Sequence, residues 1–354
     1  MTKRILLIKM SSLGDIVHTF PALTDAQKAL PGIQFDWVVE APFKDLPKLH
    51  PAVNQVIVNP RLAINKNRFS LASLKLYQDF RQQIQSTHYD AVIENQYVKK
   101  GAKVAKLAKG VKHGLTANTA HDASIAKVFD HAHYVSRSLH AIDRSRKLLA
   151  LSLGYDYAPE QHTANLACNL DYGLDLSHIE LDEHNQRWQQ QTDDYLVFCQ
   201  ATTWATKHLS IEMWIELLKK AKQASLPVLL PWVGEKEQAQ VSAMIEQAHW
   251  GEILPAQSLE QWAKLLAGAR GIIGVDTGLT HLAAALNKPT LCLFGPTNPH
   301  LTAATGQRTK TLWLDLACSP CMQTHCPREG GQVCFSQMNV DDVWGEFNAL
   351  EVKI

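Results

Sequence analysis

Short apolar runs alternate with amphipathic helical patterns along the whole chain. Ile5–Ile8, Ile272–Val275 and Thr290–Phe294 are apolar without the alternation of a half-exposed strand, so they predict strands of a parallel sheet covered on both faces. Ser210–Ser225 instead repeats apolar residues on one helical face, which predicts a helix packed on such a sheet. Because the order of strand, loop and helix recurs, the pattern predicts an α/β protein with doubly wound parallel sheets.

The same pattern assigns most of the elements. In the first half it predicts strands at Arg4–Met10, Phe35–Glu40 and Asp90–Glu94 and short elements at Val56–Val58. It predicts helices at Ile16–Leu23, Tyr77–Ser86 and Leu139–Leu153, and a Lys-rich helix that ends at Lys109. In the second half it predicts strands at Tyr195–Gln200, Pro227–Val233, Ile272–Val275 and Thr290–Phe294, and helices at Ser210–Ser225, Glu235–Gln247, Ser258–Ala267 and Asn339–Leu350. The basic stretch around Arg61, Lys66, Arg68 and Lys75 has few apolar anchors and is predicted to be a loop.

The two halves indicate two domains. A chain of 354 residues is long enough for two separate cores. Residues 155–193 have no sustained period, which is typical of a connector. We predict an N-terminal Rossmann-like domain over 1–170, a linker over 171–194, a C-terminal Rossmann-like domain over 195–337 and a C-terminal helix over 338–354. Two such domains form a ligand cleft where the carboxyl ends of their strands face each other.

A polar turn between two apolar strands is the strongest candidate for a ligand site. Asp276–Thr280 follows the strand Ile272–Val275 and opens a helix, so unpaired N–H groups and the positive end of the helix dipole meet there. Such a helix mouth suits a phosphate. His281 is a polar ring on an otherwise apolar helix, which indicates a ligand contact. Two alternatives stay open: the turn can be a helix cap only, and His281 a core histidine with satisfied hydrogen bonds.

A second candidate follows the first predicted strand. Ser11–Asp15 connects that strand to an apolar helical pattern, and Pro21 belongs in a first helical turn. Asp15 therefore stands at a helix mouth. It is either a helix cap or a carboxylate at the carboxyl edge of the sheet, where open α/β sheets bind ligands. In the second case it can act as a general base.

A third candidate is the loop Ala201–His208, which follows the first strand of the second half. Thr202 and Thr203 supply hydroxyls and Lys207 an ammonium, a set that suits a diphosphate leaving with negative charge. Neither the Walker A motif nor G-x-G-x-x-G is present. Their absence argues against P-loop nucleotide hydrolases and the common dinucleotide-binding sites.

The charge is divided between the halves. Residues 1–150 hold 22 Lys and Arg against 11 Asp and Glu, or +11, and the remainder holds 13 against 23, or −10. A basic first half indicates an anionic partner: nucleic acid, an anionic membrane surface, or a phosphorylated and carboxylated molecule. The stretch Lys99–Lys112 lacks interleaved aromatic residues for base stacking, which argues against nucleic acid. Its lysines can also serve only to solubilise the surface.

The apolar runs and the cysteines indicate a cytoplasmic protein. No run approaches a membrane-spanning length, and Ile5–Ile8 is cut off by Lys9, too soon for the core of a signal peptide. Seven Cys, an odd number in so long a chain, fit reduced thiols better than a disulfide scaffold.

Four of the cysteines fall in one tail segment, at Cys318, Cys321, Cys326 and Cys334. The C-x-x-C spacing allows a structural zinc site. The irregular spacing of the third and fourth cysteines favours a buried or redox-variable thiol cluster instead, so no metal is predicted.

Five segments together resemble one known family. They are Lys9–Asp25, Phe35–Glu40, Ala201–His208, Pro231–Trp232 and Val275–Leu282. The chain resembles the ADP-heptose:lipopolysaccharide heptosyltransferases of glycosyltransferase family 9 over almost its whole length, most of all the members that glycosylate the Kdo region of lipid A. The resemblance implies a GT-B fold, with two Rossmann-like doubly wound domains facing across a cleft and the C-terminal helix returning to the N-terminal domain. It also implies inverting transfer without metal or cofactor.

The resemblance implies roles for individual residues. Asp15 is the implied base, and Lys207 offsets the charge on departing ADP. The implied donor contacts are Thr202, Thr203, Lys207, Trp232, Glu237, Asp276, Thr277, Gly278 and His281. The predicted acceptor contacts are Ser11, Ser12, Gly14, His121, Arg61, Arg68 and Arg144. The three arginines are assigned from the positive charge of the first half and not from a family motif. Glu235 is a rival to Glu237, and His121 stands where the family pattern would have an arginine.

The implied reaction moves heptose from ADP-heptose to Kdo-lipid A, in lipopolysaccharide inner-core synthesis. A monomer is expected, peripheral on the cytoplasmic face of the inner membrane, with its basic half toward an anionic membrane surface. The cysteine-rich tail is more like that of heptosyltransferase II relatives, so a different acceptor is one alternative. Another GT-B nucleotide-sugar transferase or epimerase is a second alternative, and a basic nucleic-acid-binding module is a third.

Overall fold

The computed structural model describes residues 3–68, 70–157, 170–183, 185–329 and 331–351. The chain divides into two compact units. Of the described residues, the first unit contains those up to 157 together with Asp171–Asp175, and the second contains Leu170 and the chain from Leu176 onward. Each unit contains one parallel sheet flanked by helices, so the α/β class predicted from the alternating pattern is confirmed.

The first unit is built on a six-stranded parallel sheet. Its strands are β1 (Arg4–Ile8), β2 (Gln34–Glu40), β3 (Val53–Asn59), β4 (His88–Glu94), β5 (Lys109–Leu115) and β6 (His131–His133). They are ordered β3-β2-β1-β4-β5-β6. This is a Rossmann order, and the strand order reverses between β1 and β4, which makes their carboxyl ends the expected ligand position.

Six helices are described in the first unit. They are α1 (Leu13–Val17), α2 (Phe20–Ala29), α3 (Arg61–Lys66), α4 (Leu71–Gln85), α5 (Lys99–Ala105) and α6 (Ala141–Leu153), with 3-10 turns at Ala41–Phe43, Leu46–Leu49 and Ala123–Val128. Pro21 stands in the first turn of α2, so the helical pattern after Asp15 divides into α1 and α2 there. Gly154 ends α6 in the left-handed conformation, with φ +78°, as the sequence predicts.

The second unit is built on a five-stranded parallel sheet. Its strands are β7 (Leu196–Cys199), β8 (Val228–Leu229), β9 (Gly271–Val275), β10 (Thr290–Phe294) and β11 (Thr309–Trp313). They are ordered β11-β10-β9-β7-β8, the flavodoxin-like order. The reversal lies between β7 and β9, so the loops after these two strands meet at the expected ligand position.

Eight helices are described in the second unit. They are α7 (Gln186–Gln190), α8 (Ile211–Gln223), α9 (Gly234–Ala248), α10 (Leu259–Gly268), α11 (Gly278–Ala285), α12 (Pro299–Thr302), α13 (Val333–Ser336) and α14 (Val340–Glu351), with a 3-10 turn at Ala205–Lys207. In neither unit does any helix among the described residues have the length and apolar character needed to cross a bilayer.

The C-terminal helix corrects one expectation. α14 packs against α8, β10 and β11, and it belongs to the second unit rather than returning to the first. The physical reason is its apolar face: Val343 and Phe347 are fully buried in the core of the second sheet. The Phe347 ring occupies the space beside Gly271, where any Cβ would collide with it.

Several other elements differ from the predictions. The stretch predicted as a basic loop forms α3 and the first part of α4, so the helix predicted at Tyr77–Ser86 begins earlier, at Leu71. α4 has few buried residues, Ser73, Phe80 and Ile84, and Ser70 is its N-cap. Because so few of its positions are buried, the hydrophobic pattern that would predict this helix from the sequence is weak. The Lys-rich helix ends at Ala105, before Lys109. The additional strands are β5, β6 and β11, which are partly polar or very short and lie toward sheet edges, so none carries a long apolar run.

Candidate active site

The carboxylate of Asp15 lies in the first turn of α1, directly after β1. The backbone N–H and the hydroxyl of Ser12 donate to its Oδ2 at 3.0 and 2.8 Å, and Lys9 Nζ lies 3.4 Å from its Oδ1. Its side chain is 43% exposed, whereas that of Lys9 is 5% exposed. Desolvation opposes ionisation, but the Lys9 ammonium and the Ser12 hydrogen bonds outweigh it and hold the pKa of Asp15 below its ordinary value. The carboxylate is therefore charged at neutral pH and open to solvent.

Lys9 has a second acidic neighbour, Glu94, at the end of β4. Glu94 is fully buried, and burial raises its pKa to about 8 against the backbone N–H groups of Tyr97 and Gln96 and the charge of Lys9. Glu94 is thus mostly protonated at neutral pH, which leaves the Lys9 ammonium to Asp15. Gly101 lies against the Glu94 carboxyl with no space for a Cβ.

The loop before Asp15 is tied to the loop after β4. The side chain of Gln96 accepts from the N–H groups of Met10 and Ser11, at 2.7 and 3.1 Å, and donates to the Ser11 carbonyl at 2.7 Å. The Ser11 hydroxyl accepts from Lys100 Nζ at 2.6 Å. Ser11 therefore follows β1 and is held by residues that follow β4. Ser12 is held by Asp15, and Gly14 lies between these two residues in α1.

Arg61 is connected to the loop that contains Ser11 through the carboxylate of Glu40 and the ammonium of Lys100. Arg61 donates to Glu40 Oε1 through Nε at 3.2 Å and through a terminal nitrogen at 2.6 Å. Lys100 Nζ lies 3.4 Å from the same oxygen. Because Glu40 is only 6% exposed at its side chain, this carboxylate fixes two cations at the carboxyl edge of the first sheet.

Arg144 and His121 meet at the ring of Tyr97, which follows β4. The Arg144 guanidinium stacks 4.6 Å from the ring centroid and donates to the Thr119 carbonyl. The rings of Tyr97 and His121 lie 6.3 Å apart. Partial desolvation and the charge of Arg144 lower the pKa of His121, so at neutral pH His121 offers a neutral ring rather than the positive charge of the arginine that the family pattern leads one to expect.

Asp276 organises the site in the second unit. Its Oδ2 accepts from Lys207 Nζ at 2.6 Å and from the Thr297 hydroxyl at 2.7 Å, and its Oδ1 lies 3.0 Å from His281 Nε2. Asp276 is 7% and His281 4% exposed. Burial opposes ionisation of Asp276, but His281 and Lys207 outweigh it and hold its pKa well below the ordinary value. Asp276 is thus a charged, positioning carboxylate rather than a helix cap alone.

The predicted helix mouth is present beside this carboxylate. Thr277 is the N-cap of α11, its side chain accepts no capping hydrogen bond, and Gly278 opens the helix. The hydroxyl of Thr202, in the loop after β7, donates to the Asp276 carbonyl at 3.2 Å, and Thr203 in the same loop is exposed. Hydroxyls, an ammonium and a helix N-terminus therefore lie at the switch point of the second sheet, a set that can bind a diphosphate.

Trp232 and Glu237 lie at the carboxyl end of β8, the neighbour of β7. Trp232 Nε1 donates to the Leu254 carbonyl at 2.8 Å, and its ring packs on the core. Glu237, in the first turn of α9, accepts from the N–H of Val233 at 2.8 Å. Its rival Glu235 is exposed in the same turn, so Glu237 is the carboxylate with a fixed position.

Sequence reasoning missed residues that complete both clusters. In the first unit these are Lys9, Gln96 and Lys100, and in the second it is Thr297. The position of Lys9 at the end of an apolar strand could have indicated this residue from the sequence. Gln96, Lys100 and Thr297 come from distant segments, and only the fold brings them to the two clusters. Arg68 differs from the other predicted acceptor residues: it lies at the exposed groove between α3 and α4.

The tail cysteines come together around one small cavity. Cys318, Cys321, Cys326 and Cys334 all line a space of about 50 Å³ in the second unit, and none is in a disulfide. Within the described ranges, no group of His, Cys, Asp and Glu is arranged to hold a metal ion. The described geometry is that of a thiol cluster.

The protein has two parallel α/β units. One has an exposed carboxylate at its switch point, and the other has an ammonium and a helix mouth at its own. This is the construction of a GT-B glycosyltransferase. The sequence profile described as Glycosyltransferase family 9 (heptosyltransferase) matches residues 77–331. The chain belongs to this family.

Relatives and solved structures support the assignment over the whole chain. The chain is 38% identical over 364 residues to lipopolysaccharide heptosyltransferase 1 of Pseudomonas aeruginosa, covering 98% of both chains. It is similar to the E. coli heptosyltransferase WaaC with ADP, with a TM-score of 0.83 and 35% identity over 98% of this chain and 99% of that one. WaaC with ADP-2-deoxy-2-fluoro heptose matches with a TM-score of 0.79 and 34% identity, at the same coverage.

Proposed function

We propose that this enzyme transfers heptose from ADP-heptose to the Kdo region of lipid A, in the synthesis of the lipopolysaccharide inner core. The family and the relatives named lipopolysaccharide heptosyltransferase 1 support this reaction. WaaC, the similar enzyme, carries ADP or an ADP-heptose analogue in its structures. The observation that carries the proposal is the Lys207–Asp276 cluster at the mouth of α11, because it joins a partly buried cation to a helix N-terminus where a sugar diphosphate can bind.

The donor binds at the switch point of the second sheet. The diphosphate takes hydrogen bonds from Lys207, from the hydroxyls of Thr202 and Thr203 and from the free N–H groups at Thr277 and Gly278. Each charge-assisted hydrogen bond contributes about 1.5–3 kcal/mol, so a few of them hold a nucleotide diphosphate at micromolar strength. His281 orients Asp276, and Asp276 orients Lys207. Trp232 and Glu237 lie one strand further along, where Glu237 binds the ribose.

The acceptor hydroxyl is deprotonated by Asp15. As the hydroxyl oxygen forms its bond to the anomeric carbon of the heptose, the bond from that carbon to the diphosphate breaks and ADP leaves. The proton moves to Asp15, and the negative charge on ADP is offset by Lys207 and the helix mouth. Attack on the face opposite the diphosphate inverts the anomeric configuration. No metal enters this sequence of steps.

The acceptor binds on the basic first unit. Ser11, Ser12 and Gly14 lie beside Asp15, and Arg144 with His121 and Arg61 supply positive and neutral donors for Kdo carboxylates and phosphates. The enzyme works as a monomer at the cytoplasmic face of the inner membrane, where the excess positive charge of this unit is attracted to anionic lipid. The cysteine-rich tail keeps a heptosyltransferase II-like acceptor as the competing proposal.

The reaction is tested by product mass. Incubation with ADP-heptose and Kdo₂-lipid A is expected to add one heptose to the acceptor, whereas an acceptor that already carries the first heptose stays unchanged. A thermal-shift series with ADP, UDP and GDP is expected to show stabilisation by ADP, because binding to the folded state alone raises stability. Heptose addition only to the pre-glycosylated acceptor would favour the competing proposal, and stabilisation by UDP or GDP but not ADP would exclude an ADP-sugar donor.

The contact between Lys9 and Asp15 predicts a change in pH dependence. The base must be ionised, so turnover falls as the pH drops through the pKa of Asp15. Lys9→Met removes the charge that lowers this pKa, and we expect the acidic limb of the kcat profile to move to higher pH. The measurement is kcat against pH for both proteins at saturating substrates, with Lys28→Met as the control because Lys28 pairs with distant Asp171. An unchanged acidic limb in Lys9→Met would contradict the assignment of Asp15 as the titrating base.

A further inference from the structure

Large apolar side chains are exposed along one side of α4. Leu71 is 86%, Leu74 53% and Tyr77 42% exposed, and their spacing of three residues places them on adjoining turns of one helical face. With Ile64 of α3 and Arg68 they line an open groove of about 370 Å³. We refer to these five residues as the α4 surface.

The α4 surface is separate from the face that α4 buries. Phe80 and Ile84 pack into the core of the first sheet, which accounts for the attachment of the helix. A helix with a single buried face is expected to be polar elsewhere, and a contiguous exposed apolar patch marks an interaction site. Since the exposed leucines contribute nothing to the core of this unit, they are available to a partner.

The charge around the α4 surface identifies the chemistry of that partner. Residues 60–86 hold five Lys and Arg and one acidic residue, Asp79. Arg68 lines the groove, and Arg81 follows Tyr77 on the next turn and is exposed. Of the five basic residues, Arg61 alone has an ion-pair partner among the residues that the structure describes. Apolar side chains bordered by unpaired cations match a bilayer with anionic headgroups, because the apolar side chains can enter the acyl region while the cations contact the headgroups.

We propose that the α4 surface docks the enzyme on an anionic lipid bilayer. Leu71, Leu74 and Tyr77 enter the boundary between headgroups and acyl chains, and Arg68 and Arg81 contact lipid phosphates. This inference rests on the proposed function, in which the acceptor is a lipid. It goes further in naming the element that binds the bilayer and in requiring apolar insertion as well as charge.

Vesicle flotation of the full-length protein tests the docking. Wild type is expected to float with vesicles of phosphatidylcholine mixed with phosphatidylglycerol and much less with phosphatidylcholine alone. Leu71→Ser/Leu74→Ser is expected to lower binding to the mixed vesicles by about tenfold or more, since two inserted side chains are lost. Arg68→Gln/Arg81→Gln is expected to remove the preference for anionic vesicles. Wild type that does not float, or a leucine variant that floats like wild type, would overturn the proposal.

A matched variant controls for loss of exposed apolar surface in general. Tyr134→Ser/Leu151→Ser removes side chains that are 68% and 39% exposed in the same unit, and it is expected to float like wild type. Circular dichroism and thermal unfolding of each variant are expected to match wild type, since exposed positions are substituted. Equal loss of flotation in this control would show that the effect is not specific to the α4 surface.

Activity on two forms of the acceptor separates this inference from the reaction itself. With Kdo₂-lipid A in vesicles, the leucine variant is expected to lose about tenfold in kcat/KM, while with the deacylated acceptor in solution it equals wild type. If wild type transfers heptose to neither acceptor, the proposed function fails and flotation alone decides the docking. If light scattering finds wild type dimeric and the leucine variant monomeric, the α4 surface binds a second copy and lipid docking is overturned.

Discussion

Asp15→Asn is expected to lower turnover by about 10²–10⁴-fold, the usual range for loss of a general base. Asparagine has nearly the same shape, and its carbonyl oxygen can accept the two hydrogen bonds from Ser12, so the loop keeps its structure. What is lost is the ability to take a proton. The proposed donor-binding residues belong to the second unit, whereas Asp15 belongs to the first, so the Kd for ADP is expected to stay unchanged.

The experiment measures kcat and the Kd for ADP in the same preparation. Asp122→Asn is the matched control, because Asp122 is another carboxylate of the first unit that caps a short helix and it is expected to retain full turnover. The thermal stability of Asp15→Asn should remain close to wild type. Normal turnover in Asp15→Asn would remove the assignment of the base.

Lys207→Met is expected to lower turnover and weaken donor binding together. One charge-assisted contact to the diphosphate contributes about 1.5–3 kcal/mol, which corresponds to roughly 10- to 150-fold in Kd for ADP. The loss in kcat comes in addition, because charge builds up on ADP as the bond breaks and the ammonium then stabilises the transition state more than the bound donor. Isothermal titration with ADP and steady-state kinetics separate the two effects.

Removal of Lys207 also leaves a buried carboxylate with fewer partners, so its effect on folding needs its own control. Lys207→Met/Asp276→Asn removes both charges of the pair that are now 2.6 Å apart. The double variant is expected to recover the thermal stability that the single variant loses, while its turnover stays low. Recovery of turnover in the double variant would show that Lys207 acts only through the fold.

The parts of the candidate site that lie within one continuous segment were predictable from the sequence. The succession of an apolar strand, a polar turn and a helix indicated both Asp15 and the turn at Asp276, because ligands bind where the carboxyl ends of parallel strands meet. Their partners were not predictable in the same way. Gln96 reaches Ser11 from β4, and Thr297 reaches Asp276 from the loop after β10. Such contacts depend on strand order, and strand order does not follow from the hydrophobic pattern of any one segment.

The fold was predictable from its long buried elements and less so from its marginal ones. Central strands such as β1 and β9 are buried on both faces and carry continuous apolar runs. Edge strand β6 has three residues, His131–His133, too few for a period. The first part of α4, before Tyr77, was predicted as a loop, because its exposed leucines and basic residues do not form the pattern of a helix covered on one face, whereas the rest of the helix was predicted as Tyr77–Ser86. That departure marks the segment assigned here to lipid docking.

The pair of Lys207 and Asp276 has a consequence for the release of product. The Lys207 side chain is only 16% exposed, and its ammonium has a carboxylate of the protein as its partner. Because this carboxylate belongs to the protein and not to the substrate, the ammonium keeps a charged partner when ADP leaves in the proposed reaction. Release of the spent nucleotide then leaves no unpaired cation in a region of low polarity, which favours product release and repeated turnover.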